Sequence, residues 1–121
     1  MHISFKYKDD KDFDKKNKKQ FLDLLTERAR YYEKIMGLAP HNVRVRVMST
    51  RYGSNSKKTR SITYSYDLYH YSVNILDAII VHELSHSIVF NHSKKFYDVV
   101  CKYCPNYKRL HANLRKGIYH D

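Results

Sequence analysis

The chain has 121 residues, with 23 lysines and arginines against 12 acidic residues, a formal charge of +11 and only two cysteines. That length supports one ordinary hydrophobic core over residues 1–121, so neither a disulfide framework nor a second domain is needed. No apolar run is long enough for a membrane span, and the opening MHISFKYKDD lacks the apolar centre of a signal peptide, so a cytoplasmic monomer without membrane association is expected.

In chain order, Ile3, Phe5 and Tyr7 alternate with polar residues across His2 to Lys8 and read as a short strand. The charged run Asp9 to Lys19 leads into a helix whose apolar positions Phe21, Leu24, Leu25, Ala29, Tyr32, Ile35 and Met36 recur at helical spacing, with Gly37 as its stop. After Pro40, Val43, Val45 and Val47 alternate with Arg44 and Arg46 as a half-buried strand with a basic outer face. Arg51 to Lys58 is rich in turn formers. Ile62, Tyr64, Tyr66 and Leu68 then alternate with Thr63, Ser65 and Asp67, and the region reads as a β-hairpin.

Ser72 is the expected N-cap of a helix that carries the most informative stretch, DAIIVHELSHSIVFNHS, from Asp77 to Ser93. Within it His82 and His86 stand four apart, on one helical face, and Glu83 lies about 100° round from His82. Two imidazoles so placed can hold one zinc ion beside a carboxylate able to act as general base. HExxH also occurs on ordinary helices, with histidines that are simply exposed. Here, however, Ile75, Leu76, Ala78, Ile79, Ile80 and Val81 before the motif and Ile88, Val89 and Phe90 after it are apolar, which implies a buried central helix. Polar groups placed there are costly unless paired or bound to metal.

A catalytic zinc needs a third protein ligand, and His92 is the nearest donor. On an unbroken helix it would stand about 15 Å from His82, so the helix has to stop after His86. Asn91 suits a helix stop and Ser93 suits the N-cap of a new helix starting at Lys94. That helix ends before Pro105, and a last one runs from about Tyr107 to Lys116 with Gly117 beyond it. The order of strand, helix, hairpin and three helices makes an α+β chain with a small antiparallel sheet, formed by the hairpin and the N-terminal strand.

Cys101 and Cys104 form a lone CxxC with no second pair, and Cys104 falls on the buried face Phe96, Val99, Val100, Tyr103, which favours a packing role. The basic residues Arg44, Arg46, Arg51, Lys57, Lys58 and Arg60 could line one hairpin face, with Tyr52 and Tyr64 for base stacking. The competing function is therefore a nucleic-acid-binding module with structural zinc. Structural zinc sites use four protein ligands, typically including cysteine, and would leave Glu83 without a task.

The runs RYGSNSKKTRSITYSYDL, DAIIVHELSHSIVFNHSKKFYDVV and CPNYKRLHANLRKG resemble the YgjP-like metallopeptidase-domain family, small zincins akin to the SprT-like proteases, over about residues 43–117. HELSH followed by Asn91-His92-Ser93 and Phe96 is the most specific part. The resemblance implies a zincin fold, zinc on His82, His86 and His92, and Glu83 as the base of a peptidase acting on peptide or protein substrates. It also implies that the basic hairpin could recruit the enzyme to nucleic-acid-associated proteins. The chain has Arg51-Tyr52-Gly53-Ser54-Asn55 where the family usually has Arg-Trp-Gly-Ser-Cys, and Ser65-Tyr66 where it has Asn-Trp. For the developing oxyanion, His111, Arg109 and a hairpin tyrosine are equal candidates on sequence.

Overall fold

The structure is a computed structural model and describes residues 11–48 and 50–121. The strand expected at His2 to Lys8 lies outside the described residues. Helix α1, Lys11–Met36, begins within the charged run, because lysine is a good helix former and a run of charges there lengthens a helix as readily as it precedes one. Gly37 ends it at φ 72°, with the Leu38 amide returning to the Glu33 carbonyl at 2.8 Å. Phe21, Leu25, Ala29 and Met36 of its inner face are buried, whereas Ile35 is left largely exposed.

Strands β1, Asn42–Arg46, β2, Gly53–Ser56, and β3, Ser61–Ser65, form a mixed sheet in the order β1-β3-β2. Here the structure corrects the wholly antiparallel sheet expected from sequence. β1 runs parallel to β3, with Val43 opposite Ile62 and Val45 opposite Tyr64. The antiparallel hairpin is β2 with β3, pairing Asn55 with Ile62 and Gly53 with Tyr64. Its turn is 57–60, so the edge strand lies inside the stretch read from sequence as a turn. Gly-Ser-Asn-Ser has little strand propensity of its own and is held extended by its pairing with β3. Arg60 closes the turn at φ 51°, and its guanidinium donates to the carbonyls of Ala39 and Pro40. Val47, assigned to the first strand on sequence, falls beyond its end and is exposed.

A 3-10 turn, Tyr66–His70, leads to helix α2, Val73–Ser85, whose N-cap Ser72 accepts from the Ile75 amide. Every residue from Ile75 to Val81 is buried, and Leu84 with them. Each large apolar side chain so enclosed stabilises the fold by about 1.5–3 kcal/mol, which makes α2 the centre of the molecule. Asp77 is the one carboxylate in that run. It accepts from Arg28 at 2.9 and 2.7 Å and from the Tyr32 hydroxyl at 3.2 Å, tying α2 to α1. Helices α3, Lys94–Tyr103, and α4, Tyr107–Arg115, also pack on α2, burying Phe96, Val100, Tyr107, Leu110 and Leu114. Among the described residues no helix is long and apolar enough to cross a membrane.

Candidate metal centre and cleft

Helix α2 stops where the metal geometry requires, with Ser85 its last residue and His86 its C-cap. Tight turns replace the helical ladder after it: the Ser87 amide bonds the Leu84 carbonyl and the Ile88 amide the Ser85 carbonyl, each at 3.0 Å. Ser93 caps α3 by accepting from the Phe96 amide, which sets His92 just ahead of that helix. His82, His86 and His92 thereby converge, with one donor atom from each lying within 4.8 Å of the other two. Donors 2.1 Å from one tetrahedral ion stand about 3.4 Å apart, a closure that small ring rotations achieve.

The ring orientations fit a metal as well. His82 Nδ1 is 2.8 Å from the Tyr107 hydroxyl and His86 Nδ1 is 2.8 Å from the Phe90 carbonyl, so each turns its Nε2 to the shared centre. Phe96 stacks on His86 at 4.4 Å between ring centroids and packs edge-on against His82 and His92. Burial, aided by His86 and His92, pushes His82 down to about 3, and burial also lowers His86. Both are therefore neutral near pH 7, the form in which imidazole binds metal. The three histidines are the single such cluster among the described residues.

Glu83 is 7% exposed, and burial pushes its carboxyl up to about 7, with Arg51 pulling in the other direction. Its carboxylate lies against Gly53 of β2: a Cβ there would stand 3.1 Å from both Glu83 Cγ and Oε2. The three histidines and Glu83 line a cleft of about 660 Å³ together with Thr50 to Asn55, Phe90, Asn91 and His111. The apolar stretch after the motif departs from expectation, for Ile88 and Phe90 are 46% and 64% exposed. They belong to the turn beyond α2, and Phe90 lines the cleft.

The six basic residues do not share one hairpin face. Arg44 and Arg46 are exposed on β1, across the sheet from β2, while Arg60 is engaged with Ala39 and Pro40. Lys57 lies over the Phe90 ring at 4.9 Å, Lys58 is exposed in the turn and Arg51 lines the cleft. Tyr64, offered for base stacking, is fully buried, while Tyr52 stands in the cleft wall. Cys104 is buried, its thiol pushed up to about 11 by burial, and it lines a separate small cavity with Asp77 and Arg109. Sequence reasoning gave Tyr107 and Gly53 no role at the site, although both fall within the runs that resemble the family.

A family model described as "YgjP-like, metallopeptidase domain" matches residues 6–117. The chain belongs to that family. The match reaches further toward the N-terminus than the motifs do and takes in all of α1, so this metallopeptidase's first helix is part of the family domain. Among curated proteins none matches. Two crystal structures of metallopeptidase zymogens share the fold. Abylysin of Pyrococcus abyssi is 22% identical at a TM-score of 0.71, covering 80% of this chain and 97% of its own. Jannalysin of Methanocaldococcus jannaschii is 18% identical at 0.69, covering 78% and 96%.

Proposed function

We propose that this metallopeptidase is zinc-dependent, with His82, His86 and His92 as the ligands and Glu83 as the general base. The observation that carries the reading is a buried carboxyl beside three converging histidines, in the lining of a cleft of about 660 Å³. The three histidines would hold a divalent cation, whose chemistry when bound would be to acidify water and polarise a carbonyl. The remaining work is the chain's own. Glu83 accepts a proton from the attacking water and returns it to the leaving amine. Gly53 leaves that carboxylate room against β2, and Tyr107 and the Phe90 carbonyl hold two imidazoles in the ligating orientation.

Of the three oxyanion partners open on sequence, Arg109 lines the other cavity and Tyr64 is enclosed in the core, which leaves His111 and Tyr52 in the cleft wall. The test is metal analysis joined to proteolysis. About one zinc per chain is expected, kept by Glu83→Gln and mostly lost in His82→Ala, His86→Ala and His92→Ala. Glu83→Gln should hydrolyse peptides and unfolded proteins at least about 10²-fold more slowly. Equal activity of the two proteins would refute the assignment of the base.

A further inference from the structure

Away from the three histidines, the most deeply buried ionisable pair among the described residues joins α1 to the segment before β1 and reaches Ser87 beyond the end of α2. Glu33 and His41 are 2% and 3% exposed. His41 Nδ1 and the His41 amide each lie 2.7 Å from Glu33 Oε2, and the ring's Nε2 lies 3.0 Å from Ser87 Oγ. Asn55 Nδ2 stands 3.5 Å from that same Ser87 oxygen and donates to the Glu83 carbonyl at 2.8 Å. Arg30 closes the far end, donating to Glu33 Oε1 at 2.7 Å and to the His41 carbonyl at 3.0 Å. With the ring proton on Nδ1, facing the carboxylate, Nε2 accepts from the Ser87 hydroxyl, whose own lone pair is left for Asn55. The directions agree from Asn55 to Glu33.

Ser87, His41 and Glu33 thus stand in the donor order of a hydrolytic triad. Ser87, however, lines neither described cavity and faces Asn55, so the constellation offers a substrate no place. What it does offer is a hold on the last turn of the metal helix. In an unbroken helix the Glu83 carbonyl would accept from the Ser87 amide; here that amide turns to Leu84, and His86 N reaches Glu83 O only at 3.3 Å. Ending α2 early enough for His92 to return leaves this carbonyl short of a strong partner, and Asn55 supplies one from the edge strand.

We propose that Asn55, Ser87, His41 and Glu33 are positioning residues: a continuous polar chain that fastens the C-terminal turn of α2 to β2 and α1 and so holds Glu83 and His86 in register with the metal centre. The proposal rests on the reading of Glu83 as the base.

The test uses the zinc-loaded chain and its metal-free form, with Asn55→Leu, which keeps the branched outline and removes the donor, Ser87→Ala, Ser87→Thr and the double variant Asn55→Leu with Ser87→Ala. Assays run well below each melting temperature, where a merely structural role leaves turnover per folded, metal-loaded site unchanged. Expected are a fall in kcat of about tenfold for Asn55→Leu and Ser87→Ala with KM within about twofold, as for residues that act on the transition state. The double variant should be no worse than the weaker single one, because both break the same chain. Ser87→Thr, which retains the hydroxyl, should recover activity. Independently of turnover, amide hydrogen exchange of the metal-free protein should quicken at least about tenfold at His86, Ser87, Ile88 and Val89 while α4 keeps wild-type rates. Unchanged kcat in both single variants, unchanged exchange at those amides, or exchange raised equally through α4 overturns the proposal. A wild type that hydrolyses no peptide removes the peptidase reading, and the exchange measurement still decides whether the chain of contacts holds the turn.

Discussion

Replacing Glu83 with glutamine should make the metal-free fold more stable at high pH. Burial raises the Glu83 carboxyl from 4.5 to about 7, and the guanidinium of Arg51 only partly opposes this. Between those values the folded chain binds a proton that the unfolded chain has released. The stability this carboxyl confers is therefore full below about pH 4.5 and is lost as the pH rises through about 7. At about 1.4 kcal/mol per pH unit, the interval costs the protein about 3 kcal/mol of stability above about pH 8. Glutamine carries no charge to desolvate. Glu83→Gln should thus match wild type near pH 4 and exceed its stability by about 2–3 kcal/mol near pH 8. His82, whose lowered pKa withdraws stability as the pH falls from 6.5 toward 3, is common to both proteins and drops out of the comparison. Urea unfolding in a chelator across about pH 4 to 8.5 measures the difference directly. A stability difference that does not change with pH would refute the buried-carboxylate account of Glu83.

Tyr107→Phe should fold and weaken zinc binding by about 10–100-fold, read by competition with a chromogenic chelator, since it removes the partner of His82 Nδ1. Gly53→Ala places a methyl group 3.1 Å from Glu83 Cγ and Oε2, so peptide hydrolysis should fall at least about tenfold with zinc content unchanged. Arg28→Ala leaves Asp77, which is 6% exposed, without its bidentate partner and should cost about 3 kcal/mol in urea unfolding, with Asp77→Asn added to it recovering part of the loss.

The convergence of the three histidines was legible in the sequence because its information is local. His82, Glu83 and His86 are placed by helical periodicity, and the need for a third donor within reach of them forces a helix end between His86 and His92, which Ser93 then signals as a new N-cap. The same locality made Gly37, Ser72 and Gly117 readable as caps. The partners of the site were a different matter. Alternation in Val43 to Val45 and Ile62 to Tyr64 says which face is apolar but is the same for a parallel and an antiparallel neighbour, so only the assembled sheet set β1 parallel to β3. It likewise made Gly53–Ser56 a strand against its own propensity, and in doing so brought Gly53 to the Glu83 carboxylate and Asn55 to its carbonyl. Tyr107 meets His82 across 25 residues, and His41 meets Ser87 across 46. Contacts at such separations arise from packing whole helices and strands on one core, and a pattern of period two or 3.6 carries no term for them.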